Sequence, residues 1–453
     1  VTTATKLPPG ARAPRPVQTI GWITRTGPFL ERCRARYGDV FSVRIAQEGT
    51  WVMLANPEHV RQVFTGDPKV FHAGEANAIL RPVLGHNSVL LLDEQQHLAQ
   101  RKLLLPPFHG ERMQRYGELM REVAEQEIAR WPQNEPLQLW AHMQAVTLEV
   151  IMRAVFGMDE GTRLVRLREA IRQALEWATA PAQMAALALL GPARVEKLPM
   201  FQDKFRDVDA LLYEEIRTRR GADDLADRDD IMSLLLQATH EDGSPMSDVE
   251  LRDELMTLLV AGHETTATAL AWGIERLVRH PDKLARLREE AVAGGDEYVD
   301  AVAKETLRLR PVIPIVVRRL TEPVEIGGYT IPAGWKVAPC IYLMHRHADV
   351  YSPDPTAFRP ERFLDQPAGT YTWIPFGGGI RRCIGASFAV FEMKVVLSEI
   401  ARLVDLQPVR PERERVVRRA ITLTPSRGAE VVARRRAETA PDGGNAQPAA
   451  AAA

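Results

Sequence analysis

The sequence predicts a mainly α-helical fold, one large domain with a small β-rich portion. Three observations predict it. Apolar residues recur with helical periodicity from about Arg112 to Leu287. Short β-branched runs occur only near the start and after Pro311. No repeat and no interior linker divides the 453 residues. The composition, 45% hydrophobic and 26% charged, is that of a globular protein.

Residues 1–20 carry Pro8, Pro9, Pro14 and Pro16 and read as an extended lead-in. Val40 to Ile45 and Thr50 to Leu54 follow as two strands joined by a polar turn. Asn56-Pro57 opens a helix, with Asn as cap and Pro at its first position. The long helical region is interrupted at Trp131-Pro132, Gly157, Gly191-Pro192 and the polar segment 221–230. Within it, the apolar stretch Met184 to Leu190 reads either as a cover over a substrate entrance or as a core helix. A helix from about Val299 to Leu309 stops before Pro311, and short strands follow at Val324 to Ile326, Tyr329 to Ile331 and Trp335 to Ile341. A last helix runs from about Gly385 to Leu403. The expected division is a lead-in over 1–20, the domain over 21–433, and a disordered low-complexity tail over 434–453.

With 58 basic and 59 acidic residues, the chain lacks the basic excess of a nucleic-acid binder, and any charged partner must meet a local patch. Three scattered cysteines, Cys33, Cys340 and Cys383, make no disulfide framework and suit a reducing compartment. No run of 18 apolar residues appears and the N-terminus has no apolar signal core, so the expectation is a cytoplasmic protein without a transmembrane anchor.

One helix carries conflicting signals. Ser247 and Glu250 make a capping box, with Met246 and Leu251 placed as a hydrophobic staple, and the pattern then continues to His280-Pro281. Its middle reads Ala261-Gly262-His263-Glu264-Thr265-Thr266. Glycine and paired threonines weaken a helix, and a carboxylate lies in an otherwise apolar centre. Such irregularity points to a functional site; the competing reading is a solvent-facing polar stripe with an incidental glycine.

The strongest signal is Phe376-Gly377-Gly378-Gly379-Ile380-Arg381-Arg382-Cys383-Ile384-Gly385. Glycines let a loop adopt positive φ and approach a flat cofactor closely. Phe376 can shield one side of a sulfur, Arg381 brings positive charge, and Cys383 comes just before a helix whose free N–H groups favour a thiolate. The alternative is a buried structural cysteine in a glycine-rich turn. Zinc is disfavoured because no second Cys or His lies at ligand spacing, and a phosphate loop because no Gly-Lys-Ser/Thr ends the run.

This segment resembles the cysteine loop of the cytochrome P-450 family, F-x-x-G-x-R-x-C-x-G, at every fixed position. Further family motifs follow in the family's order. Ala261 to Thr266 resembles the oxygen-activation motif; Glu305 and Arg308 resemble the E-x-x-R pair, with Arg362 in Pro360-Glu361-Arg362-Phe363 as its third member. His97 to Arg101 resembles the H-x-x-x-R element, and Arg318 stands where another propionate-binding arginine is usual. The resemblance covers nearly the whole chain.

It implies a soluble bacterial-type haem-thiolate monooxygenase, with haem b ligated by Cys383 and with O2 as co-substrate. His97, Arg101, Arg318 and Arg381 would offset the charge of the propionates. Phe376 would shield the sulfur and Gly262 would let the helix open beside the iron. Thr265 would hydrogen-bond the oxygen being activated and Glu264 would relay protons from solvent. The Glu305–Arg308–Arg362 triad is read as structural. The implied reaction is insertion of one oxygen atom into a small hydrophobic substrate by a monomeric enzyme. Electrons would come from NAD(P)H through a separate ferredoxin or flavodoxin with its reductase, docking near Arg382 and Lys394. His263, His345 and His347 are ligands by type, but each reads as an ordinary polar residue. Competing functions are a peroxide-using, isomerising or dehydrating haem-thiolate catalyst, and a haem sensor or carrier. The retained Thr265 argues against the first, and Thr265 with Glu264 against the second.

Overall fold

A computed structural model describes residues 6–108, 112–157 and 162–436. Helices dominate from residue 112 to the end of the helix Pro281–Ala293. At the centre lies the helix Asp248–Leu277, which packs most extensively against the helix Leu139–Phe156. Its start follows the sequence closely. The Ser247 hydroxyl accepts from the Glu250 N–H at 3.2 Å, the Glu250 carboxylate accepts from the Ser247 N–H at 2.8 Å, and Met246 and Leu251 are both buried. The helix ends three residues earlier than the sequence suggested. Its final turn tightens, with Arg279 N–H donating to the Arg276 carbonyl and His280 N–H to that of Leu277, before Pro281 starts the next helix.

The five-stranded sheet runs in the order Val40–Ile45, Gly49–Leu54, Lys336–Pro339, Arg318–Leu320, Phe71–His72. Gly49–Leu54 and Lys336–Pro339 pair in parallel, binding the first and last thirds of the chain into one unit. Asn56 caps the following helix by accepting from Glu58 N–H at 2.9 Å, with Pro57 at its first position.

Three expectations need correction. The lead-in is extended only to Pro14, with the Ala11 N–H donating to the Ser42 carbonyl and the Ser42 N–H to that of Pro9; from Arg15 to Thr24 it is a helix. Pro16 suits a first helical turn, and Gln18 and Trp22, four apart, bury one face of it. Residues 434 and 435, expected to open a disordered tail, belong to a strand. Glu430–Arg435 is a strand paired with Val404–Pro408 and Pro136–Gln138, and residues 437–453 lie outside the described residues. Finally, Met184 to Leu190 does form a helix, Pro181–Leu190, but no core helix: Leu189 is 73% exposed.

Candidate functional site

Loop 376–385 is shaped by what lies beneath it. Gly377 and Gly379 adopt φ of 67° and 65°. A Cβ on Gly379 would lie 2.0 Å from the Phe64 carbonyl oxygen, and one on Gly378 2.2 Å from the Phe64 ring. The glycines thus press the loop onto the end of the helix Pro57–Thr65, a demand of packing that the sequence reading had credited to a flat cofactor. The Cys383 N–H donates to the Phe376 carbonyl at 3.0 Å and closes the loop, while the Phe376 ring packs edge-on against Trp373.

Cys383 is exposed, the one of the three cysteines that is. Cys33 and Cys340 are plainly buried. Burial pushes the Cys383 thiol up, against the Gly385 N–H and the charges of Arg382 and Arg101, which pull it down. Ala261 is likewise exposed, although it sits mid-way along a helix most of whose residues are buried.

Four basic side chains converge from three elements. His97 and Arg101 lie one turn apart on the helix Glu94–Leu104, Arg318 begins a central strand, and Arg381 belongs to the cysteine loop. Burial, then Arg381, Arg101 and Arg318, drive the His97 pKa down to about 3. Burial, then Arg381, lowers Arg318 to about 10. Asp93 is the one carboxylate paired with any of the four among the described residues, at 2.6 Å from Arg381. That carboxylate already accepts from the N–H groups of Ala73, Gly74 and Glu75 at 2.8, 2.8 and 2.9 Å. Positive charge is therefore buried in excess, and His97 Nδ1 is buried without a partner. A site of this kind fits a group with acidic edges.

Arg381 is less free than the resemblance implied. It donates to the Val89 and Leu92 carbonyls at 3.2 and 2.5 Å as well as to Asp93, so it ties the cysteine loop to the segment before the helix Glu94–Leu104.

The central helix departs from expectation at its middle. It is unbroken, and a Cβ on Gly262 would lie 3.3 Å from Ile151 of the helix Leu139–Phe156. Gly262 therefore serves close helix packing; the expected opening is not seen. The Thr265 hydroxyl donates to the Ala261 carbonyl at 2.6 Å. Glu264 is not turned to solvent. Its carboxyl meets the Thr422 hydroxyl at 3.0 Å, on the hairpin of Val416–Arg419 and Thr422–Pro425. Burial raises its pKa; Arg419 and Thr422 pull it back.

The triad assembles as expected. Arg308 donates to Glu305 at 2.6 and 2.9 Å, and Arg362 reaches Glu305 at 3.2 Å. The residue that sequence reasoning missed is His345. Its backbone carbonyl accepts from Arg308 at 2.6 Å, and its Nε2 accepts from the Ile374 N–H at 2.8 Å, two residues before Phe376. His345 thereby joins the triad to the cysteine loop, and nothing local in the sequence signals it. His263 is buried, its pKa lowered to about 4 by burial and then by Arg419, and His347 faces Asp39 at 3.5 Å.

Comparison with known proteins identifies the family. The cytochrome P450 family model matches residues 8–430. Putative cytochrome P450 135B1 of Mycobacterium tuberculosis is 44% identical over 441 residues, covering 95% of this chain and 92% of that protein. Putative cytochrome P450 135A1 of the same organism is 39% identical, covering 95% and 96%. The retinoic acid-bound cyanobacterial CYP120A1 superposes with a TM-score of 0.82 at 24% identity over 96% of this chain and 100% of that one, which speaks to the fold. With the family model spanning residues 8–430 and a relative 44% identical over 95% of this chain, the protein belongs to the cytochrome P450 family.

Proposed function

We propose that the protein inserts one oxygen atom from O2 into a small hydrophobic substrate, with NAD(P)H-derived electrons delivered by a separate ferredoxin or flavodoxin. The observation that carries this reading is the union of the exposed Cys383 with three arginines, Arg101, Arg318 and Arg381, that share the single carboxylate of Asp93 among the described residues. Family membership implies haem and O2. Haem bound through a cysteine thiolate supplies the electron-rich iron that favours O–O cleavage. The chain's own residues then have separate tasks. Cys383 would hold the group, with the Gly385 N–H beside its sulfur and the Phe376 carbonyl accepting from its N–H. Arg101 and Arg318 would neutralise its acidic edge, the unpartnered His97 Nδ1 would offer a hydrogen bond, and Arg381 braces the loop while adding its charge to the same cluster. Losing one charge-assisted bond there costs about 1.5–3 kcal/mol, roughly 10- to 100-fold in affinity. Arg101→Ala should accordingly surrender haem to a scavenger that much faster than wild type. Equal retention would remove Arg101 from this role.

Thr265 and Glu264 are assigned to protons. The Thr265 hydroxyl has one hydrogen, given at rest to the Ala261 carbonyl, and two lone pairs that can accept. Rotation about its Cβ–Oγ bond would free that hydrogen for donation to another acceptor. Thr265→Val keeps shape and loses the hydrogen. Holoenzyme with this change, supplied with redox partners, should keep consuming NAD(P)H while product per NAD(P)H falls about 10-fold or more and hydrogen peroxide rises in its place. Wild-type coupling in Thr265→Val on a good substrate would remove Thr265 from this role.

The electron donor is proposed to dock at the cysteine-loop face. Arg382 is exposed and has no ion pair among the described residues, whereas Lys394 is held by Asp296 at 2.5 Å and drops out as a docking residue. With overall charge near zero, attraction of an acidic donor rests on such a local patch. First-electron transfer should slow as salt rises and slow again in Arg382→Glu. A rate indifferent to both would exclude this face. The monomeric state and the cytoplasmic location remain part of the proposal; among the described residues no helix is long and apolar enough to cross a membrane.

A further inference from the structure

We propose that Thr422, on the C-terminal hairpin, is the positioning residue for Glu264, keeping that side chain bonded in both its protonated and its ionised form. The inference rests on the monooxygenase reading for its consequence, and on the hydrogen inventory of one contact for its substance. Thr422 Oγ lies 3.0 Å from the Glu264 carboxyl and 2.8 Å from the Arg419 carbonyl oxygen. A hydroxyl owns one hydrogen and two lone pairs. When Glu264 carries its proton, it donates to Thr422, which donates onward to the Arg419 carbonyl, and every hydrogen is used. When Glu264 gives up the proton, the Thr422 hydrogen turns to the carboxylate. The Glu264 carboxyl is bonded in both states without moving a heavy atom, the Arg419 carbonyl giving up its Thr422 donor in the ionised one, which suits a group that must lose and regain a proton in each cycle.

The surroundings support this assignment. Thr422 is buried, so no water replaces it cheaply. Arg419 is the charged group acting on Glu264, and its guanidinium is itself fixed over the Trp140 ring at 4.6 Å and beside the Thr179 hydroxyl at 3.4 Å. His263, next along the helix, has its pKa held near 4 by burial and by Arg419, so it adds no charge near neutral pH. The Thr422–Glu264 contact spans 158 residues, and it makes the hairpin part of the proton route.

The test uses haem-loaded protein and two readouts. Infrared difference spectra between acidic and alkaline buffer, with Glu264→Gln as the blank, report the carboxyl stretch of Glu264. Wild type and Thr422→Ser should show the hydrogen-bonded band, and Thr422→Val and Thr422→Ala should show it displaced toward the free-acid position. Product formation should fall about 10-fold in Thr422→Val and stay within about 2-fold in Thr422→Ser. The pair Thr422→Val with Glu264→Gln should be no slower than Glu264→Gln alone, since the two act as one unit. An unmoved band in both hydroxyl-free variants, or wild-type turnover with a wild-type pH profile in Thr422→Val, would overturn the proposal. If wild type makes no product while the band moves as expected, the monooxygenase reading fails and the contact stands.

Discussion

Replacing Cys383 with histidine should abolish the red-shifted Soret band of the reduced, CO-bound protein and leave no measurable oxygenation, with haem still bound. Among the three cysteines, only Cys383 combines an accessible thiol with neighbours that favour its anion. The Gly385 N–H and the charges of Arg382 and Arg101 all oppose the effect of burial. Cys340 is the contrary case, its thiol pushed up to about 12 by burial. Cys33 is also raised by burial, with Arg32 its one opposing charge. A histidine at 383 would offer a neutral ligand and remove the electron donation that distinguishes a thiolate. Cys33→Ser and Cys340→Ser should keep both the band and the activity. A thiolate band surviving in Cys383→His would end the assignment.

Much of the site was legible because its signals are local. The cysteine loop, the capping box at Ser247 and the Glu305–Arg308 pair each lie within about ten consecutive residues, where backbone geometry ties spacing to proximity. What escaped is what folding brings together. Arg381 meets Asp93 across 288 positions, Glu264 meets Thr422 across 158, and His345 meets Ile374 across 29. No periodicity encodes such pairs. The glycines illustrate a subtler limit. Their need for space was readable at 377–379 and at Gly262, but whether a cofactor, Phe64 or Ile151 filled that space was not. Prolines misled at the N-terminus for a similar reason, since a proline that ends one helix also starts another well.

The second large effect concerns Arg308, whose side chain is fully buried and donates to five acceptors. Two are Glu305 oxygens, and three are the carbonyls of His345, Pro355 and Ala357 at 2.6, 2.7 and 3.0 Å. Arg308→Leu would remove all five donations at once. Arg362 would still touch Glu305 at 3.2 Å, and the Arg359 N–H would still donate at 2.8 Å, so the carboxylate would not be wholly abandoned. Even so, breaking a buried pair typically costs about 3–5 kcal/mol, and the orphaned carbonyls add to it. Lysine cannot substitute, because three hydrogens on a point charge do not match a planar array of acceptors. The damage should also have a direction. Arg308 holds the His345 carbonyl, and His345 holds Ile374, whose own carbonyl accepts from the Gly377 N–H at 3.0 Å. Strain therefore passes from the triad to the cysteine loop by named bonds. Arg308→Leu and Arg308→Lys should both unfold at markedly lower denaturant, and the folded fraction should retain haem poorly and shift from the thiolate to the neutral-thiol spectrum. His345→Gln, which keeps an acceptor toward Ile374, should be milder than His345→Leu in the same assays. An Arg308→Lys protein with wild-type stability and spectrum would show that this network does not hold the loop.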